Sequence, residues 1–231
     1  MIVSIHQPNF LPWLGFFDKM DCSDVFVLLD CVQFEKNGWQ NRNRIKTARG
    51  WNWLTVPVQH KFGTTIAETR VADTVKWQKK HLNSLVTNYS KAPYFNNYID
   101  YYHDMYSKRW IFLAELCNSF IHDFAEKIGI ETRMLTVSSP EEWPDDPNQR
   151  LVSIVKKFGG DVYLAGAGGR NYIKEKHFKE AGIKVVFQDY SPIEYPQLYS
   201  EFIPGLAIVD ALFNVGEDTL KIIRKGRRTE L

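Results

Sequence analysis

The sequence predicts an α/β fold, an open and mostly parallel sheet with an α-helical insertion, and three observations predict it. Residues 2–5 form a short apolar run that ends in His6 and Gln7 and passes through a ring-rich loop into a helical pattern. Residues 25–29 are continuously apolar, as a strand covered on both faces requires. The C-terminal half alternates helix-like and strand-like runs, the pattern of parallel strands joined by crossover helices. In such sheets ligands bind beyond the carboxyl ends of the strands, among helix N-termini and polar loops.

The elements follow in order. After the strand over 2–5, residues 10–20 put Leu14, Phe17 and Met20 on one helical face, with Pro12 at a first-turn position. The strand over 25–29 completes a strand–helix–strand unit with a right-handed crossover. The polar run 30–46 ends in an alternation that, if extended, turns Arg42, Arg44 and Lys46 to one side. Residues 53–58 and 65–71 are expected to pair as strands. Helices are expected over 74–89, 94–106 and 108–128. In the first, Val75, His81, Leu82, Leu85 and Val86 recur at helical spacing with Lys79 and Lys80 outside. In the last, Ile111, Leu113, Leu116, Phe120, Phe124 and Ile128 form the buried side. These helices make residues 73–129 a helical insertion within a single α/β domain spanning 1–231. A strand over 131–137 and a loop over 138–148 come next. A helix over 149–158 is stopped by Gly159 and Gly160. A strand over 161–164, a helix over 173–181 and a strand over 183–187 lead to a tail, with a helix near 208–213, a break at Gly216 and a last basic helix.

Composition narrows the function classes. A chain of 231 residues can bury a core without disulfides or metal. Its net charge of +2 supplies no field for nucleic acid. Cys22, Cys31 and Cys117 are odd in number and widely spaced, which reads as reduced thiols in a cytoplasmic protein. Pro8, Pro12 and Asp18 interrupt the N-terminal apolar run, so it is not a signal peptide. No apolar stretch reaches the ~18 residues of a membrane span. There is no zinc pattern, no GxSxG and no HExxH, and nothing calls for a metal. Aromatic residues make up 14% of the chain, and many stand beside polar ones, which points to a lined pocket or a partner surface, with rings in the core as the commoner explanation.

Four stretches could carry chemistry. His6-Gln7-Pro8-Asn9 stands at the end of the first strand, where His6 can move a proton or donate to an anion; the plain alternative is a capped loop. Asp30 ends the second strand, and Gln33, Trp39, Gln40, Asn41, Arg42, Arg44 and Lys46 follow it. Arginines alternating with amides can grip a phosphate or carboxylate, although a solvated edge strand would look the same. The run Ala165-Gly166-Ala167-Gly168-Gly169-Arg170 follows a strand and suits close backbone approach to a phosphate, with a tight turn as its rival. Asp210 and Asn214, four apart, share a helix face opposite Val209, Leu212 and Phe213; an amphipathic surface helix explains them as well.

The runs HQPNFLPWLGFFDKM, DVFVLLDCVQFEKNGWQNRNRIK, YLAGAGGRNY and PQLYSEFIPGLAIVDALFNVG, in this order, resemble the WbqC-like proteins of bacteria. That resemblance implies a setting among genes for O-antigen and other surface polysaccharides, lipopolysaccharide included. The opening strand, His-x-Pro loop, helix and strand is also similar to HUP-type nucleotidyltransferases and pantothenate-synthetase-like ligases, but Pro12 and Trp13 stand where a second histidine and a glycine belong. The expectation is a Rossmann-like, HUP-like enzyme that transfers an N-acyl or aminoacyl group to a nucleotide-linked amino sugar. His6 or Asp30 would handle the proton. Arg42, Arg44 and Lys46 would hold anions, opposite His6 in one cleft. Trp13 and Trp39 would stack on a ring. The co-substrate stays open between ATP, acting through an acyl-adenylate, and acyl-CoA; a non-catalytic nucleotide-sugar binder is the remaining alternative.

Overall fold

The computed structural model describes residues 1–73, 75–199 and 201–231, with Pro140 described through its backbone alone. In chain order the first elements are β1 (Ile2–His6), α1 (Leu14–Asp21) and β2 (Val25–Leu29). Two antiparallel pairs follow, β3 (Arg42–Thr47) with β4 (Gly50–Thr55) and β5 (Val58–Gln59) with β6 (Arg70–Val71). Then come α2 (Trp77–Tyr89), α3 (Phe95–Ser107), α4 (Leu113–Ile128), β7 (Arg133–Val137), α5 (Pro147–Lys157), β8 (Val162–Ala165), α6 (Glu175–Glu180), β9 (Lys184–Phe187), α7 (Ile208–Val215) and α8 (Thr219–Gly226).

Five strands form one parallel sheet in the order β7-β2-β1-β8-β9, a Rossmann-like α/β arrangement. From β1 the chain moves outward through α1 to β2 and on to β7. It then returns across β1 through α5 to β8 and β9. The direction of travel therefore reverses between β1 and β8, which is where such sheets open a crevice. Side-chain alternation assigns the two faces. Val3, Ile5, Val25, Val27 and Leu29 join Leu151, Ile154 and Val155 of α5 and Phe178 of α6 in one core. Phe26 and Leu28 face the other way, into a core with Phe16, Phe17 and Met20 of α1, Phe124 of α4 and Ile223 of α8.

Polar ties fix the second face. Asp18 and Asp21 of α1 take Arg227: Nε donates to Asp18 at 2.8 Å, and the other end of the guanidinium reaches Asp21. Gln188 also donates to Asp18 at 2.8 Å. The hairpin β3–β4 turns Asn43 and Ile45 inward and Arg42 and Arg44 outward, because Asn43 holds the carbonyl of Leu11 at 2.7 Å and Ile45 is fully buried. Leu11 sits at φ +45°, so α1 starts at Leu14 and not at residue 10.

Other departures from the sequence expectation have local causes. The second hairpin strand is Gly50–Thr55, not 53–58, because Pro57 has no N–H for a ladder. Within 65–71, residues 70–71 alone form a strand, against β5 and not β4. Val75 and Val86 are exposed, and Trp77, His81, Leu85 and Tyr89 form the buried stripe of α2; Thr74, where that helix was expected to begin, lies outside the described residues, as does Ser200 of the quoted tail run. Ile111 precedes α4 and is 42% exposed.

One close approach gives a direct test of the sheet's packing. A Cβ on Gly160 would lie 2.6 Å from Val3 and 2.8 Å from Val155, both fully buried. Gly160→Ala is expected to lower the free energy of unfolding by about 1–3 kcal/mol in urea titrations. Gly168→Ala, whose Cβ meets nothing within 4 Å, is expected to stay within about 0.5 kcal/mol of the parent.

Candidate functional site

The crevice predicted by the reversal between β1 and β8 is a cavity of about 440 Å³. Ile5, His6 and Gln7 from the end of β1 line it, with Leu29 and Val32 from the end of β2. Tyr163, Gly166, Gly168, Gly169 and Tyr172 come from β8 and the turn after it, and Pro147, Arg150 and Leu151 from the start of α5. Lys19 of α1 completes the wall. Its size falls in the ordinary range for small-molecule sites.

Lys19 is 2% exposed, and its Nζ donates to the carbonyl of Ile5 at 2.9 Å. Side chains on a helix lean toward its N-terminus. α1 starts at the carboxyl end of the sheet, so this lean lifts the lysine into the crevice. The pairing of β1 with β8 ends at Ser4 and Leu164, while β1 continues to His6. Lys19 therefore serves a carbonyl just past the last rung. Among the described residues no carboxylate lies within ion-pair distance of it. Burial lowers its pKa from 10.5 to about 7.

His6 packs edge-on to Phe16, with centroids 4.7 Å apart. Its Nδ1 is 2.9 Å from the carbonyl of Gln7, so Nδ1 carries the hydrogen and Nε2 keeps its lone pair. Burial first and the charge of Lys19 second push its pKa down to about 3, so the ring is neutral at pH 7. Arg150 is steadied by the carbonyls of Pro144 (3.1 Å) and Asp145 (3.2 Å). The cavity wall thus holds an arginine, a lysine titrating near neutrality and a neutral imidazole, with no aspartate or glutamate among its described residues. Asp146, at the N-cap of α5, accepts from the N–H groups of Asn148 and Gln149 at 2.9 Å, so the helix end is already capped.

The sequence candidates divide by place. His6, Gln7, Gly166, Gly168 and Gly169 line the cavity. Asp30 is 3% exposed directly behind Leu29; its Oδ1 lacks a partner, and burial raises its pKa. It does not line the cavity. Gln40 donates to Gln7 at 2.7 Å and accepts from the N–H of Glu35, which ties the 35–40 loop to the cavity's lip. Asn9 is buried, and Asn41 holds the carbonyl of Val56 at 2.9 Å. Gln33 bridges to Thr65. Trp13 packs over Gly15 and meets Tyr190 edge-on at 5.5 Å, and Arg170 lies 4.5 Å over Phe187.

The three cations expected opposite His6 do not line this cavity. Arg42 reaches the carbonyl of Asn37 and stacks on Trp53; Arg44 donates to Gly205 O at 3.2 Å. Lys46 bonds Gln197 at 2.9 Å and the carbonyl of Glu201. The inward turn of Asn43 and Ile45 sends these alternate residues to the far side of the hairpin. Asp210 is fully buried and accepts from Tyr89 and Tyr195, each at 2.8 Å, and Asn214 bonds its carbonyl at 2.7 Å and Leu198 N–H at 3.1 Å. Burial raises Asp210 to about 6. Both residues anchor the tail, and neither lines the cavity.

Lys19 and Arg150 were not singled out by sequence. Lys19 lies off the face of Leu14, Phe17 and Met20, so helical spacing does not mark it as internal. Arg150 has no signal either.

A model of the WbqC-like protein family matches residues 7–222. The chain belongs to that family. The "Uncharacterized protein Rv1507c" of Mycobacterium tuberculosis is 36% identical over 230 residues, covering 98% of this chain and 99% of that protein. No solved structure matches the chain with significance. In this WbqC-like protein no helix among the described residues is long and apolar enough to cross a membrane. No group of three or more His, Cys, Asp or Glu among them is placed to hold a metal.

The buried lysine makes stability depend on pH. The native state holds Lys19 with a pKa below its unfolded value, so the unfolded chain binds more protons between pH 7 and 10.5. Its contribution is complete above 10.5 and is lost as pH falls toward 7. Each pKa step is worth about 1.4 kcal/mol. Lys19→Met, which removes a buried charge and orphans one carbonyl, is expected to raise the unfolding free energy at pH 7 by about 1–2 kcal/mol. The gain should shrink by pH 9.5 in denaturant titrations.

Proposed function

We propose that this WbqC-like protein is a cytoplasmic enzyme of surface-polysaccharide biosynthesis, O-antigen and lipopolysaccharide assembly included. Its reaction is N-acyl transfer to the amine of a nucleotide-linked sugar, carried out in the His6–Lys19 cavity. The observation that carries the reading is the make-up of that cavity: two basic side chains, a neutral imidazole and, among the described residues, no carboxylate, at the switch point of a parallel sheet.

Arg150 and the backbone of the Gly166–Gly169 turn receive the diphosphate. The lone pair at Nε2 of His6 orients the attacking amine. A C–N bond forms between the amino nitrogen and the acyl carbon, the C–S bond of the thioester breaks, and the sulfur leaves as a thiolate that takes up the proton Lys19 receives. The amine's proton passes to Lys19, whose pKa near 7 suits a base at neutral pH better than His6 at about 3. Asp30, expected to share the proton's handling, does not line the cavity, and the step is assigned to Lys19 in its place. Apolar walls from Leu29, Val32 and Leu151 keep water from the acyl donor.

The test has two stages. Thermal shift against UDP-, dTDP- and GDP-linked amino sugars should show stabilisation that Arg150→Ala reduces at least tenfold in affinity. Mass spectrometry of the stabilising sugar with acyl-CoA should then show the N-acyl product, cut at least a hundredfold in Lys19→Met even though that variant is the more stable protein. Product formed only with ATP and a free carboxylate, with AMP released, would replace the transferase by a ligase. Stabilisation with no product from either mixture would reduce the protein to a binder.

A further inference from the structure

The outer face of the β3–β4 hairpin is chemically unlike the rest of the surface. Trp39, Trp51 and Trp53 are 46%, 41% and 38% exposed. Trp53 meets Trp39 at 5.5 Å and Trp51 at 5.4 Å, so the three rings are contiguous. Arg42 lies 4.3 Å over Trp53, and Arg44 stands between Trp39 (5.7 Å) and Trp51 (5.2 Å). Register makes this one face: Arg44 pairs with Trp53, and Arg42 with the exposed Thr55. Among the described residues neither arginine forms an ion pair. A contiguous aromatic patch open to water marks an interaction site; its two arginines each donate to one backbone carbonyl, of Asn37 and of Gly205, and have no carboxylate partner among the described residues.

We propose that this face binds an extended glycan carrying acidic sugars, with ring faces stacked on the tryptophans and carboxylates met by Arg42 and Arg44. The shape favours a long ligand, because the face is a strand surface and not a concavity; a six-residue strand spans roughly 20 Å. The charge favours a sparse polyanion. A nucleic acid strand brings about one negative charge per 3.4 Å, against two arginines on this face and a net charge of +2 for the whole chain. Lys46 lies on the same side of β3 but is held by Gln197 and the carbonyl of Glu201, so the face is closed at that end. At the other end Trp39 adjoins Gln40, which bonds Gln7 on the lip of the cavity. The glycan site is therefore separate from the cavity and adjoins it, and it stands whether or not the cavity transfers acyl groups.

Tryptophan fluorescence tests it without turnover. Titration with a hyaluronan hexasaccharide, which carries a carboxylate on every second sugar, is expected to quench emission saturably, and maltohexaose, with the same number of sugars and no charge, to bind at least tenfold more weakly. Trp53→Ala and Arg44→Ala should each weaken hyaluronan hexasaccharide binding at least tenfold while retaining the parent's melting temperature within a few degrees; Trp51→Ala serves if Trp53→Ala fails to fold. No saturable quenching, unchanged affinity in the folded variants, or tighter binding of a thymidine 20-mer than of the hyaluronan hexasaccharide would overturn the proposal.

Discussion

The bond from Lys19 to the Ile5 carbonyl is the constraint on which the site depends. Two parallel strands part company at the point where the sheet reverses direction, and the first carbonyl beyond the last rung needs a donor. A buried lysine is a costly way to provide one, since desolvation opposes its charge. The sheet would be served as well by a neutral donor. The fold carries the burden of the lysine instead, with its Nζ 5.8 Å from the centre of the Phe26 ring and its helix packed into the core through Phe16, Phe17 and Met20.

The burden is held in place by the other side of α1. Asp18, beside Lys19 in sequence, points to the opposite partner set, Arg227 and Gln188. With Asp21 it ties α1 to the end of α8. A helix clamped this way cannot rotate to let the ammonium escape to water. The electrostatics of the crevice and the docking of the C-terminal segment are thus one arrangement.

Much of this was legible in the sequence because it is local. The apolar run of β2, the periodicity of α4 and the Gly159-Gly160 stop after α5 each encode an element over a few residues. The cavity contributions of His6, Gln7 and the Gly166–Gly169 turn follow from a rule about strand ends. What was not legible depends on contacts between distant residues. The side to which Arg42 and Arg44 turn is set by Asn43 reaching Leu11, and the burial of Asp210 is set by Tyr89 and Tyr195 closing over it. Periodicity alone gives a charged residue on a half-apolar helix no depth, so it marks neither Lys19 nor Asp210 as buried and favours the surface for Asp210.

The placement of β1 has a consequence for how the molecule comes into being. Its neighbours are β2, some twenty residues on, and β8, at the far end of a register that joins Ser4 to Leu164. During synthesis the first strand leaves the ribosome with one flank open and waits for more than half of the chain before the other is filled. Closing so long a loop is slow, and an uncovered apolar strand invites wrong pairing meanwhile.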